Sequence, residues 1–186
     1  MKETIKTVIN EVKDVLDQVD EQQAIALGRE MMEADRIFIT GEGRSGLIGK
    51  AIAMRLVHAG FKVYVTGETI TPSIQSGDLL LAISGSGSTP GSDQYARTAK
   101  KMNAKVFLVT TTEESSIGEV SDGMLILPAA TKFRRSHEPD TIQPLGNQFD
   151  QSVHLLLDAV IIWVTRQTVD AEEVNQQMTS RHANLE

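Results

Sequence analysis

The chain has 186 residues, no cysteine and a formal charge of −7, from 18 Lys and Arg against 25 Asp and Glu. Without cysteine it has no disulfide, no thiolate metal site and no cysteine nucleophile. An acidic chain with 4% aromatic residues is a poor candidate for nucleic acid, which needs a basic face and stacking rings. No segment has the apolar length of a signal-peptide core or a membrane span, so we expect one cytoplasmic domain over residues 1–186.

Apolar residues at helical spacing predict two helices at the N-terminus. In residues 2–19, valine, isoleucine and leucine recur every three or four positions. Asp20, with Gln23 three residues later, has the pattern of a capping box and predicts a second helix that ends near Ala34. These N-terminal helices, residues 2–34, precede the first predicted strand.

Five short, nearly continuous apolar runs follow, and each is typical of a strand. Strands of this kind belong to parallel sheets that helices cover on both faces, because neither face of the strand then meets water. The predicted strands are residues 36–40, 62–66, 78–84, 105–111 and 123–128.

Helical patterns alternate with these runs and continue beyond the last one. The alternation predicts a three-layer α/β/α sandwich around a five-stranded parallel sheet. A C-terminal tail, residues 170–186, contains a short helix. The other predicted helices are residues 47–60, 90–102, 115–121 and 148–167.

A glycine-rich segment, GEGRSG at 41–46, directly follows the first predicted strand. It matches the dinucleotide fingerprint G-x-G-x-x-G, and Glu68 stands where that fingerprint has its acidic residue. A NAD-binding protein is therefore one interpretation. A dehydrogenase also needs a substrate domain, for which this chain has no room, and NAD leaves a second glycine-rich loop unexplained.

That second loop follows the third predicted strand and precedes a helix. Its glycines let backbone N–H groups approach an anion, its hydroxyls add donors, and the helix N-terminus adds partial positive charge. We predict a phosphate-binding loop here, although a tight strand-to-helix connection is the plainer alternative. This loop, called the cradle loop below, comprises Ser84, Gly85, Ser86, Gly87, Ser88 and Thr89.

Five segments carry a resemblance to a known family: GEGRSG at 41–46, AMRLVHAGFKVYVTGETITP at 53–72, GDLLLAISGSGST at 77–89, LPAATK at 127–132 and RHANLE at 181–186. With them the chain resembles the SIS (sugar isomerase) domains and, within these, the 6-phospho-3-hexuloisomerases. The SGSG pattern alone marks only the wider family. The segments at 53–72 and 181–186 are more specific.

The resemblance implies a flavodoxin-like SIS fold and an isomerase that interconverts D-arabino-hex-3-ulose 6-phosphate and D-fructose 6-phosphate. That reaction belongs to formaldehyde fixation in the ribulose monophosphate pathway. The family assembles as a homotetramer built from dimers, so we expect a homo-oligomer. Moving a carbonyl between C3 and C2 needs a base, donors near two oxygens and a phosphate anchor, but no redox cofactor and no metal.

Asp150 and His58 are the catalytic candidates that the resemblance implies. The family has a glutamate base at the start of the helix after the last strand, where this chain has Asp150. We expect the helix N-terminus to lower the pKa of that carboxyl. His58 is expected to act on substrate oxygens across a subunit boundary, and His182 is a weaker candidate. On the residues alone, a lone helical histidine is as well explained by packing.

Arg44 and Ser45 are expected to face the sugar, with Arg44 near the phosphate or an enediolate oxygen. The alternative for Arg44 is a surface ion pair with Glu42 or Glu68.

Other features have plainer interpretations. We interpret His137 and His154 as structural, and the basic run at 132–135 as a solvated loop. Three residues of the helix at 47–60 are predicted to be core: Met54, Leu56 and Val57.

Two functional alternatives stay open. One is a sugar-phosphate sensor, which would keep both loops and need no base. The other is a different aldose–ketose phosphate isomerase. We expect no membrane partner and no nucleic acid.

Overall fold

A computed structural model describes residues 1–185, apart from the side chains of residues 171 and 172. Five strands form a single sheet in the order β2-β1-β3-β4-β5, and all four strand pairs are parallel. The strands are β1 (Ile37–Gly41), β2 (Val63–Val65), β3 (Leu79–Ile83), β4 (Lys105–Thr110) and β5 (Gly123–Ile126).

Helices cover both faces of this sheet, which confirms the predicted sandwich. A 3-10 turn at Gly118–Val120 replaces the short helix predicted at 115–121. Within the described residues, no helix has the length and hydrophobicity that crossing a membrane requires. The helices are α1 (Lys2–Leu16), α2 (Glu21–Glu33), α3 (Gly43–His58), α4 (Pro90–Lys101), α5 (Asn147–Thr168) and α6 (Ala171–Ser180).

The two faces of the sheet bury different cores, because successive strand residues point to opposite sides. Ile37 and Ile39 pack with α2, α3 and α5 in the larger core. Phe38, between them in sequence, packs with the alanines of α4 in the smaller one. The small side chains of Ala96 and Ala99 let α4 lie close to the sheet.

Two predictions at the helix starts are corrected by the structure. Asp20 caps α2 and accepts a hydrogen bond from the N–H of Gln22 at 2.8 Å. Gln23 does not close a capping box, because its Oε1 accepts instead from the N–H of Ile126 at 2.9 Å. The third helix begins at Gly43 and not at residue 47, so most of the GEGRSG segment is its first turn.

The predicted core of α3 is only partly correct. Leu56 is fully buried, but Met54 is 53% exposed and Val57 is 45% exposed. Helical spacing alone does not tell which of two apolar stripes faces the sheet.

The strand order sets where a ligand can bind. Strands β1 and β3 lie side by side at the centre of the sheet. The chain leaves β1 towards α3 on one face and leaves β3 towards α4 on the other. Such a switch point opens a crevice at the carboxyl ends of the strands, and it brings the two glycine-rich segments together.

Helices α2 and α5 touch at a glycine. A Cβ built on Gly28 would lie 2.8 Å from a ring carbon of Trp163 and 3.1 Å from a methyl of Val164. The hydrogen of Gly28 therefore fits where a methyl group does not.

We predict that Gly28→Ala lowers the melting temperature. Alanine favours a helix by about 1 kcal/mol over glycine, but overpacking a core contact costs about 1–3 kcal/mol. Thermal unfolding followed by circular dichroism measures the balance. A Gly28→Ala variant at least as stable as the wild-type protein would contradict the close contact.

Candidate active site

A cavity of about 310 Å³ opens at the carboxyl ends of β1 and β3. Its walls come from the start of α3, the cradle loop, the segment after β5 and the start of α5. Polar groups from these four parts of the chain therefore face one volume. The residues in its wall that carry the argument below are Glu42, Arg44, Ser45, Gly85, Ser86, Thr89, Lys132, Phe149 and Asp150.

Half of the cradle loop lines this cavity, and the other half supports it. Ser84 is buried, and its hydroxyl lies 2.8 Å from that of Thr89, which it holds in place. Gly87 has a φ of 61° and accepts a hydrogen bond from the N–H of Ile117 at 3.0 Å, away from the cavity. Ser88 donates its N–H to the hydroxyl of Ser86 at 3.3 Å. Gly85, Ser86 and Thr89 are thus the residues that can meet a ligand.

Gly85 lets α5 approach the cradle loop closely. A Cβ there would lie 3.2 Å from Cδ1 of Phe149. The start of α5 is also held by Gln148, whose Oε1 accepts from the buried N–H of Ala130 at 2.7 Å. The residue that follows Phe149 is therefore fixed beside the cradle loop.

That residue is Asp150, in the first turn of α5, and its carboxyl is nearly buried. Arg44 reaches it from α3, with Nε 2.8 Å from Oδ2. The hydroxyl of Ser45 lies 3.5 Å from Oδ1.

Burial raises the pKa of Asp150 above its ordinary value of 3.8, although Arg44 and Ser45 act in the opposite direction. The expectation of a lowered pKa was wrong, because loss of water around the carboxylate outweighs the favourable helix end. A raised pKa makes the carboxylate a stronger base than an aspartate in water.

Arg44 makes neither of the two ion pairs named as alternatives. Its guanidinium binds Asp150 and also donates from Nη1 to Oδ1 of Asn147 at 3.0 Å. Glu68 pairs instead with Lys50 at 2.6 Å. Arg44 therefore lines the cavity and binds the candidate base, and its contact with the sugar stays a prediction.

Glu42 occupies the N-terminus of α4, which is a natural position for an anion. Its Oε1 accepts a hydrogen bond from the N–H of Gly91 at 3.0 Å, and its side chain lines the same cavity as Ser86 and Thr89. A phosphate bound at this helix end therefore meets a carboxylate already there.

Lys132 was missed as a site residue by sequence reasoning. The side chain is exposed, as a solvated loop requires, yet it lines the cavity next to Phe133. It brings a cation to the phosphate side of an acidic protein. The signal in the sequence was the basic run at 132–135, whose position after the last strand places it at the same edge of the sheet.

His58 lies outside this cavity in the single chain. Its ring stacks on that of His182, with centroids 5.1 Å apart, in a separate cavity between the ends of α3, α5 and α6. Arg181 holds the C-terminal segment there by donating to the backbone oxygen of His58 at 3.2 Å. Glu186, the last residue of RHANLE, lies outside the described residues.

The other two histidines differ in their surroundings. His137 is exposed on the segment after β5. His154, one turn after Asp150, lines a shallow cavity with Arg44, Leu47 and Asp150. A purely structural role for His154 stays a prediction.

Comparison with known proteins adds the family to this geometry. The SIS domain profile matches residues 30–138. The chain belongs to the SIS-domain family. The match covers the sheet and both glycine-rich segments, whereas Phe149 and Asp150, which also line the cavity, lie beyond its end.

Relatives of this SIS domain match along nearly the whole chain. The 3-hexulose-6-phosphate isomerase of Mycobacterium gastri is 40% identical over 98% of this chain and 89% of its own length. The enzyme of that name from Bacillus subtilis is 36% identical over 99% and 98%. A Methanococcus jannaschii crystal structure, for which a 3-hexulose-6-phosphate isomerase function is inferred, is 33% identical over 99% of both chains, with a TM-score of 0.83.

We predict that Glu42→Gln tightens the binding of inorganic phosphate by about tenfold. Two like charges about 4 Å apart repel by roughly 1–4 kcal/mol between water and a protein surface, and about 1.4 kcal/mol is tenfold in affinity. Isothermal titration calorimetry gives the two dissociation constants. Glu68→Gln removes the same charge outside the cavity, and its dissociation constant for phosphate should equal that of the wild-type protein. Unchanged affinity in Glu42→Gln would place the phosphate elsewhere.

We predict that Asp150→Asn raises the melting temperature at pH 7. The native state holds the Asp150 proton more tightly than the unfolded chain, so native stability falls as pH rises from about 3.8 through the raised pKa. Asparagine does not ionise and avoids that loss.

The same comparison at about pH 3, where the carboxyl is protonated in both states, should show no difference. A lower melting temperature for Asp150→Asn at pH 7 would mean that the Arg44 pair outweighs burial.

Proposed function

We propose that the chain is an isomerase that interconverts D-arabino-hex-3-ulose 6-phosphate and D-fructose 6-phosphate through an enediolate. One observation carries the proposal: a nearly buried carboxylate of raised pKa, Asp150, lines the same cavity as the cradle loop. The relatives named 3-hexulose-6-phosphate isomerase support it, since they match over almost the full chain.

The phosphate is bound at the N-terminus of α4. Ser86 and Thr89 offer hydroxyl donors there, and Lys132, which lines the same cavity, supplies a positive charge. Because the protein as a whole is acidic, these local donors and not the overall field hold the anion. Binding at O6 leaves carbons 2 and 3 of an open-chain sugar free to extend towards α5.

Asp150 acts as the base. Its carboxylate removes the proton from C2 of the hexulose, the C–H electrons form the C2–C3 double bond, and the C3 carbonyl becomes an enediolate oxygen. The hydroxyl proton of O2 then passes to O3, and Asp150, whose proton exchanges with solvent, delivers a proton to C3, so that the C2 carbonyl of fructose 6-phosphate forms. Arg44 lies against Asp150 and faces the cavity, so its guanidinium can stabilise the negative oxygen of the enediolate. Asp150 is one methylene shorter than the glutamate of the family, and the close approach of α5 at Gly85 brings its carboxylate towards the sugar.

We further propose that the enzyme works as a homo-oligomer, a homotetramer by family resemblance, in the cytoplasm and in formaldehyde fixation. Five exposed apolar residues on the neighbouring helices α3 and α5 support a second copy as partner, since exposed apolar patches mark interfaces. In that assembly His58 would reach a neighbouring cavity. The five apolar residues are Leu47, Met54, Val57, Leu155 and Ile162, each at least 45% exposed.

We predict that the protein, incubated with fructose 6-phosphate in deuterated water, introduces deuterium at C3 of the sugar. Asp150→Asn should slow this exchange by about 10²–10⁴-fold, the usual contribution of a general base, while fructose 6-phosphate still binds. The exchange rate of the wild-type protein should also fall as pH drops through the raised pKa of Asp150, because the base is then protonated. Proton NMR and calorimetry measure exchange and binding.

The matched control is Asp158→Asn, two turns further along α5, whose carboxylate pairs with Arg55 at 3.1 Å outside the cavity. It should exchange like the wild-type protein. Tight binding with no exchange in the wild type would favour the sugar-phosphate sensor. Exchange that survives in Asp150→Asn would remove Asp150 from the role of base.

A further inference from the structure

A chain of polar contacts runs from α1 to the candidate base. It connects five side chains from α1, the segment after β5, α5 and α3, which are up to 139 residues apart in the sequence. We call it the polar chain, and its members in order are Glu11, Gln143, Asn147, Arg44 and Asp150.

The polar chain starts at a carboxylate that stays charged. Glu11 accepts hydrogen bonds from the hydroxyl of Thr141, the N–H of Ile142 at 2.8 Å and Nε2 of Gln143 at 2.9 Å. Burial alone would raise the pKa of Glu11, but these hydrogen bonds, with Arg134 nearby, hold it below its ordinary value of 4.5. At neutral pH this carboxylate is therefore an acceptor only.

The charge at Glu11 fixes the orientation of a buried amide. Gln143 is 2% exposed, and only its NH2 group can point at a carboxylate. Its Oε1 must then point the other way, where it accepts from Nδ2 of Asn147 at 3.1 Å and Nε2 of Gln151 at 3.0 Å. A flipped Gln143 would set an oxygen against the Glu11 carboxylate, which repels it.

The orientation of Gln143 determines that of Asn147, which in turn binds Arg44. Because Nδ2 of Asn147 is bound to Gln143, its Oδ1 faces Arg44 and accepts from Nη1 at 3.0 Å. Arg44 is half-exposed, so without this acceptor its long side chain has other conformations available in water. The Asn147 oxygen holds the guanidinium against Asp150.

We propose that Glu11 is a positioning residue for the candidate base: its carboxylate orients Gln143 and Asn147, and so holds Arg44 on Asp150. The proposal rests on the proposed function for its catalytic meaning. Its physical content, the link between Glu11 and the charge environment of Asp150, does not depend on turnover.

Several charged or polar groups lie near Asp150 and influence its pKa. Arg44 and Ser45 contact it from α3. Glu42 and Lys132 line the same cavity as Asp150, and His154, one turn further along α5, lines the neighbouring shallow cavity. Only Arg44 is tied to the polar chain, so a change at Glu11 should reach Asp150 through Arg44.

The test is Glu11→Gln, with the titration of Asp150 followed by carbon NMR on protein labelled at aspartate carboxyls. Asp150→Asn identifies the signal. Since a contacting arginine lowers the pKa of a carboxyl by about 1–3 units, a loosened Arg44 should raise the Asp150 pKa by about half a unit or more. In the pH profile of deuterium exchange, the fall in rate on the acid side should shift to higher pH by the same amount as the Asp150 pKa.

Two further variants distinguish an effect through the polar chain from a general loosening of the segment after β5. Glu138→Gln loosens the same segment at its other end, where Glu138 accepts from the N–H of Thr131 at 2.8 Å, and it should leave the Asp150 pKa unchanged. The double variant Glu11→Gln with Gln143→Glu restores an acceptor facing Asn147 and should return the pKa towards the wild-type value.

An unchanged Asp150 pKa in Glu11→Gln, or equal shifts in Glu11→Gln and Glu138→Gln, would overturn the proposal. If Glu11→Gln does not fold, the double variant decides, because a wild-type Asp150 pKa there supports the polar chain and a raised one overturns it. A wild-type protein that shows no deuterium exchange would remove the proposed function, while the titration would still test the polar chain.

Discussion

Two negative charges must share one small cavity in an acidic protein, and the arrangement of the site follows from that constraint. A phosphate and the carboxylate of Asp150 repel each other, so each needs its own cation or donors. Asp150 has Arg44, and the cradle loop offers hydroxyls, a helix N-terminus and Lys132. Glu42 adds a third negative group at the N-terminus of α4, and its charge opposes the binding of a phosphate there.

The fold was predictable because its signals are local and repeated. Five apolar runs separated by helical patterns indicate a parallel sheet, even where the exact bounds of each element are uncertain from the sequence. Because parallel strands have their carboxyl ends at the same edge, both glycine-rich segments, which follow strands, lie at that edge. Asp150, Arg44 and Ser45, which were predicted to act on the sugar, line one cavity at that edge, and their roles stay predictions. The ends of elements were predicted less accurately. At α3, for example, the glycines of the GEGRSG segment predict a loop, but they form the first turn of the helix.

What the sequence could not provide were properties that arise from neighbours distant in the chain. The pKa of Asp150 is raised because the folded chain buries its carboxyl. The position of Asp150 at the start of a helix, which is all that the sequence shows, predicts a lowered pKa. The partner of Arg44 was expected to be Glu42 or Glu68 if it formed an ion pair, whereas the fold brings it to Asp150, which is 106 residues away in the chain. Lys132 and Glu42 looked like ordinary surface charges, since only the folded sheet edge shows that they line one cavity.

The contact between Gly85 and Phe149 has a consequence for substrate choice. It fixes the separation between the cradle loop and the first turn of α5, because the backbone of Gly85 lies close to the ring of Phe149. With the phosphate on the cradle loop and Asp150 as the base, as proposed, this separation sets the distance from the phosphorylated end of the sugar to the carbon that loses its proton. The length of the sugar chain would then be a criterion for substrate choice, in addition to the pattern of its hydroxyls.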